Sequence, residues 1–72
     1  MSTVKITMLP DGNFLIIPVP KAHLVSRFVN VGNTRTEEAL KTELRGRGVA
    51  DDVIESKLAE AKANGFVLVD VA

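Results

Sequence analysis

The segment LRGRGVADD, residues 44–52, contains the side chains of this sequence that are best suited to bind an anion. Arg45 and Arg47 stand beside glycines, directly before the start of an expected helix. Guanidinium groups and the N–H groups of a helix N-terminus both bind phosphate. However, Asp51 and Asp52 occupy that same N-terminus, where their charges complement the helix dipole and would repel an anion. We therefore interpret the segment mainly as a turn between two helices.

Residues with catalytic chemistry are few. His23 is the single histidine, cysteine and tyrosine are absent, and no nucleophile motif surrounds any of the serines, which are Ser2, Ser26 and Ser56. Asp51 and Asp52 are adjacent on a helix and point about 100° apart, which is unsuited to sharing a proton or a metal ion. The sequence predicts a protein that is not an enzyme and has no metal or cofactor site. A composite site between two copies is left open.

Length and composition indicate one small domain, residues 1–72. Apolar residues make up 46% of the chain and aromatic residues 4%, so the core is expected to be aliphatic. A single core of this size contributes only about 3 to 5 kcal/mol, and without cysteine no disulfide can add to it. Self-association, most simply a homodimer, is therefore favoured. Neither a signal peptide nor a membrane-spanning run is recognisable, which predicts a cytoplasmic protein without membrane contact.

Charge is balanced over the chain but not along it. The net charge is zero. Residues 21–47 contain six basic and three acidic side chains, a net +3, whereas residues 48–72 contain two basic and five acidic ones, a net −3. These halves are expected to complement each other within the fold or across a dimer.

The hydrophobic pattern predicts an N-terminal β-hairpin. Residues 3–8 alternate with the period of a strand, and Val4, Ile6 and Met8 share one face. The sequence PDGN at residues 10–13 is typical of a tight turn. Residues 14–19 predict the returning strand, which should end at Pro18 or lie at an edge because proline has no N–H to donate. Residues 20–31 fit either a short helix or irregular piece followed by an extended end, or a strand.

Two helices and a strand are predicted for the rest of the chain. Thr34 and Glu37 have the spacing of a capping box and would open a helix over residues 35–45. Gly46 or Gly48 would end it with a positive φ. A second helix would begin at Asp51 and end at residues 64–65, Asn-Gly, with an apolar stripe of Val53, Ile54, Leu58 and Ala61. Residues 66–71, FVLVDV, predict a strand with its three valines towards the core.

These elements predict an α+β fold. The N-terminal hairpin and the C-terminal strand would form a small antiparallel sheet packed against two helices, in the order ββ(α)ααβ. The hairpin also has a second apolar face formed by Leu9, Leu15 and Ile17. We expect that face to be covered either by a partner or by residues 20–31.

Two stretches resemble DNA-binding families. Residues 36–69, TEEALKTELRGRGVADDVIESKLAEAKANGFVLV, resemble the helix, turn, helix and strand of winged-helix domains, in which the second helix enters the major groove. Residues 3–28 resemble swapped-hairpin transition-state regulators and antitoxins, whose dimers bind DNA through basic hairpin residues. The matching positions in this sequence are Gly12, Asn13, Ile17, Pro18, Pro20 and Lys21.

The sequence therefore supports two hypotheses of function. The first is a small protein–protein interaction module without catalysis, with a homodimer as its expected form and with contacts through Leu15, Ile17, Val19, Arg45 and Arg47. The alternative is a DNA-binding regulator or antitoxin-like dimer that uses Lys21, Arg27, Arg35, Arg45 and Arg47. Binding to DNA should weaken steeply with salt, whereas an aliphatic interface should hold or tighten.

Overall fold

The α+β fold class is confirmed by the computed structural model, which describes residues 2–19 and 33–72. Four strands of one antiparallel sheet and two helices form in these ranges. In chain order they are β1 (Ser2–Met8), β2 (Phe14–Pro18), β3 (Thr34–Arg35), α1 (Glu37–Gly46), α2 (Asp51–Asn64) and β4 (Phe66–Val71). The alternatives for residues 20–31, together with His23, Lys21 and Arg27, lie outside the described residues.

The strands lie in the order β3-β2-β1-β4. β1 and β2 form the predicted hairpin, closed by a hydrogen bond from the N–H of Leu9 to the carbonyl of Asn13 at 2.8 Å. Gly12 takes a φ of 88°, a value that L side chains rarely adopt, and the Asp11 carboxylate accepts from the N–H of Asn13. Pro18 is the last residue of β2, as the sequence predicts.

The start of α1 differs from the prediction. The helix N-cap is Thr36, whose hydroxyl accepts from the N–H of Ala39 at 3.2 Å, and not Thr34. Thr34 instead belongs to β3, a strand that the sequence did not predict, where it pairs with Leu15. Both threonines precede an acidic first turn, so composition alone did not distinguish them.

The core lies between one face of the sheet and the two helices. Val67, Val69 and Val71 are buried there, as predicted, and α2 buries Ile54, Leu58 and Ala61 against them. Leu40 and Leu44 of α1 complete this layer. Two residues that the sequence placed on apolar faces are exposed instead: Met8 and Val53. Each lies at the margin of its face, where the opposing layer no longer covers it.

Glycines with positive φ end both helices. Gly48, at a φ of 86°, follows α1, while Gly46 is the last residue of the helix itself. Gly65, at 91°, ends α2 as predicted, and its N–H donates to the carbonyl of Ala61. The turn also touches the end of β4, since the N–H of Ala72 donates to the carbonyl of Arg47 at 3.1 Å.

Candidate interaction surface

The two helices face each other through a ladder of ion pairs, which uses many of the charges that the sequence offered for binding. Glu37, Lys41 and Arg45 are spaced four residues apart on α1 and so share one side of it. They meet Lys62 at 2.9 Å, Glu55 at 3.1 Å and Asp51 at 2.8 Å on α2. Each of these residues of α1 meets a residue of opposite charge on α2, so every rung is an attraction. The opposite charges of the two chain halves therefore complement each other within the fold.

Ion pairing changes the pKa of three residues of the ladder so that their charged forms are favoured. The Lys62 ammonium, which donates to Glu37, lowers the pKa of that carboxyl, and burial opposes the effect in part. The hydrogen bond to Glu55 raises the pKa of Lys41. Asp51 likewise raises the pKa of Arg45. The pKa shifts of Glu37, Lys41 and Arg45 therefore each favour the charged form.

The arginine-rich turn is compatible with the interpretation as a connection between helices. Arg45 donates from Nε to Asp51 Oδ1 at 2.8 Å, so its guanidinium is engaged by the first acid of α2. Asp52 and Glu55 are exposed on the same first turns of that helix. An anion at this N-terminus would face three carboxylates. Arg47 is half-buried and forms no ion pair with the described residues.

The residues proposed for DNA contact are divided by the structure. Arg35 donates from Nε to Glu43 Oε1 at 2.8 Å. Arg45 is paired as described above. Lys21 and Arg27 lie outside the described residues. Of the described members of the set, only Arg47 is without an acidic partner among the described side chains.

The residues proposed for protein contact are also unequal in exposure. Leu15 and Ile17 are 1% and 3% exposed, although they lie on the sheet face opposite the helices. They offer almost no surface to a partner in this conformation. Val19, at 37% exposure, does present an apolar surface next to the end of β2. Their role in contact stays a prediction.

A different apolar surface lies on β4, and the sequence analysis did not assign it to contact. Phe66 and Leu68 are 47% and 48% exposed on the face opposite the helices. The ammonium of Lys5 lies 4.9 Å from the centroid of the Phe66 ring, a cation–π distance. Asp70 lies on the same face and accepts from the Thr3 hydroxyl at 2.8 Å. We call Phe66, Leu68, Asp70 and Lys5 the β4 surface.

The signal for this surface was present in the sequence. The alternation of FVLVDV assigns the valines to the core and therefore directs Phe66 and Leu68 away from it. Exposure of a large apolar side chain depends, however, on what covers the second face of the sheet. That could not be read from a single strand.

Other kinds of site find no support in the described ranges. Across residues 2–19 and 33–72, no group of three or more His, Cys, Asp or Glu side chains is arranged to hold a metal ion. Within the same ranges, neither helix is long and apolar enough to cross a membrane. No protein family model, no curated protein and no solved structure matches this chain.

Proposed function

We propose that this protein is a small interaction module that acts by binding protein, in the first place a second copy of itself, without catalysing a reaction. The proposal is supported chiefly by the β4 surface. Two large apolar side chains about half exposed on one strand cost free energy in water, roughly 25 cal/mol for each Å² of apolar surface. The free energy gained by covering these side chains is large relative to a domain stability of about 3 to 5 kcal/mol.

Charge supports the same proposal. The chain has no net charge, so two copies do not repel each other at long range. Most charges of the helices are paired within the chain, and Phe66 and Leu68 of the β4 surface are the most exposed large apolar side chains among the described residues. A cytoplasmic location stays a prediction from the sequence.

DNA binding stays the competing hypothesis, and among the described residues the pairing of the basic side chains weighs against it. Arg35 and Arg45 would have to exchange an acidic partner for a phosphate. The first turn of α2, which would lead into the major groove in the winged-helix arrangement, carries Asp51 and Asp52.

The test is the solution mass of the protein by light scattering, over a range of concentrations, at low and high salt and with or without duplex DNA. We expect a dimer that persists at high salt and does not change when DNA is added. A DNA complex that dissociates as salt rises would instead support the regulator. A monomer at every concentration, without DNA binding, would contradict the self-association proposed here.

A further inference from the structure

Among the described strands β4 lies at one edge of the sheet, and the register shows which groups its outer side presents. The N–H of Met8 donates to the carbonyl of Gly65 at 2.9 Å, so these two residues form a hydrogen-bonded pair. Such pairs alternate along an antiparallel ladder. Val67, Val69 and Val71 are therefore hydrogen-bonded to β1, and the backbone groups of Phe66, Leu68 and Asp70 point away from it. No strand in the described chain borders them.

This edge carries one charged side chain, Asp70, and neither a proline nor a bulge. β3, at the opposite edge, is two residues long, and β2 beside it ends in Pro18. β4 has six residues, five of them apolar, with no proline and an uninterrupted register. Natural proteins protect such edges with charges, prolines or bulges unless the edge is used. An edge of this kind is open to pairing with a further strand.

The open part of the edge has defined limits. At one end α2 finishes at Asn64, and at the other the N–H of Ala72 is taken by the carbonyl of Arg47. The edge therefore offers three residues with outward N–H and C=O groups. A partner strand needs the same number of groups at the same spacing, and β4 of a second copy has them.

We propose that two copies of this chain associate through the outer edges of β4, antiparallel about a twofold axis at Leu68, to form one continuous sheet. This inference rests on the self-association proposed above and identifies its surface. Leu68 then lies opposite Leu68 of the second copy, and each Phe66 lies opposite Asp70. Three N–H groups donate from each copy, which gives six hydrogen bonds across the axis.

Other antiparallel registers satisfy fewer groups. A shift of two residues in one direction places Asp70 opposite Asn64, which is helical. A shift in the other direction places Phe66 opposite Ala72, whose N–H is already bonded to Arg47. Shifts by one residue align outward groups with groups that point to β1. The register centred on Leu68 is therefore the one that pairs all three outward residues.

The flank of α2 on the same side of the molecule is complementary to itself. Asp51, Glu55 and Lys62 occupy the flank towards α1, and the helical period puts Val53, Lys57 and Glu60 on the opposite flank. Val53 is 39% exposed, and neither Lys57 nor Glu60 forms an ion pair with described residues. When two antiparallel copies of α2 lie side by side, Lys57 of one approaches Glu60 of the other.

The β4 surface has a second charge pair of this kind. Lys5 pairs in register with Leu68 and reaches over the Phe66 ring. In the proposed dimer Asp70 of the second copy lies beside that ring. The ammonium and the carboxylate then meet at the rim of an interface whose centre is apolar, the usual arrangement of charges in protein interfaces.

Cysteine cross-linking tests the register. The chain has no cysteine, so Leu68→Cys introduces its single thiol. Opposed residues of a hydrogen-bonded pair have Cα atoms about 5.5 Å apart, within the range of a disulfide. We expect Leu68→Cys to form a covalent dimer in oxidised glutathione. Phe66→Cys is the matched control, since its thiols would be more than about 13 Å apart. A covalent dimer from the control and none from Leu68→Cys would overturn the register.

A second pair of variants separates this inference from the proposed function. Leu68→Lys places two like charges opposite each other and removes two leucine contacts from each dimer, so we expect the dissociation constant to rise about a hundredfold. Met8→Lys, at an exposed site away from the edge, should leave it unchanged. A dimer that both variants leave intact and that does not cross-link would overturn the β4 interface but not self-association. A wild-type protein that stays monomeric would overturn both.

Discussion

A single hydroxyl group decides where the first helix begins. The first turn of an α-helix has N–H groups without helical partners, and Thr36 satisfies that of Ala39. Glu37 and Glu38 add charges that suit the positive end of the helix dipole. Thr34, two residues earlier, has the same side chain but is held by its pairing to β2.

Replacing the cap should weaken the protein measurably. Thr36→Ala removes the acceptor for the N–H of Ala39, and we expect the free energy of unfolding to fall by about 1 kcal/mol. Thr36→Ser keeps the hydroxyl and should stay close to the wild type. Urea denaturation followed by circular dichroism measures both. Equal stability of all three proteins would mean that Thr36 is not the cap.

Two glycines of the helix turn should respond in opposite directions to the same substitution. Gly48 has a φ of 86°, and Gly48→Ala should lower the free energy of unfolding by about 1 to 2 kcal/mol because a Cβ disfavours that conformation. Gly46 ends α1 with open space around it, and Gly46→Ala should raise stability by about 0.5 to 1 kcal/mol. Thermal unfolding checks the sign of each change. A destabilised Gly46→Ala would contradict the assigned helix end.

At the scale of elements, α1 and α2 show how far the sequence predicts structure. The second helix and its glycine stop could be predicted because Ile54, Leu58 and Ala61 follow the helical period and Asn-Gly is a strong end signal. The ladder of ion pairs between the helices could not be predicted. The pairing of Lys41 with Glu55 depends on how two helices are set side by side, and only its contact with Glu37, at 3.5 Å within α1, follows from spacing. The β4 surface was missed for the same reason, since its exposure depends on neighbouring elements.

The ladder should contribute little at each rung, because its side chains are partly exposed. We expect a double-mutant cycle of Glu37→Gln and Lys62→Gln to give a coupling of about 0.2 to 1 kcal/mol. The coupling should decrease as salt is added, since exposed charges are screened. Urea unfolding at low and high salt measures it. A coupling that does not respond to salt would indicate packing by these side chains rather than charge.

The lowered pKa of Glu37 also predicts an acid dependence of stability. A carboxyl with a lower pKa in the folded state than in the unfolded state stabilises the fold above its unfolded-state pKa, about 4.3 for glutamate. That contribution is lost as the pH falls through the folded-state pKa. In the variant Glu37→Gln, the free energy of unfolding should therefore fall less steeply with decreasing pH than it does in the wild type. An unchanged decline would mean that Lys62 does not hold the carboxylate in solution.

On the scale of the whole molecule, one aliphatic layer between sheet and helices holds the fold together. Its buried residues come from every described element except the short β3. The alternating valines of β4 made this layer predictable. The strand order could not be predicted, because β4 could have paired with either strand of the hairpin. The position of β1 between β2 and β4 depends on contacts between distant parts of the chain.

Because a domain of this size is expected to have a small stability, one core truncation should be enough to unfold much of the protein. Leu58 is 2% exposed, and Leu58→Ala should cost about 2 to 5 kcal/mol, comparable with the whole stability expected for the domain. Val53→Ala on the same helix is the control and should change stability by less than about 0.5 kcal/mol in the monomer. Circular dichroism at high dilution measures how far each of the two variants is folded. A folded, cooperative Leu58→Ala protein would show that the core is more stable than its size suggests.

The pairing of β1 with β4 has a consequence for synthesis on the ribosome. β1 is the first described element to be made and β4 the last, yet the two lie side by side with Ser2 opposite Val71. The hairpin and both helices are therefore complete before the sheet can close, and in that interval Val4 and Ile6 lack part of their final cover. A nascent chain stalled before residue 66 should be digested readily by protease, whereas all 72 residues held clear of the exit tunnel by an added C-terminal linker should resist it.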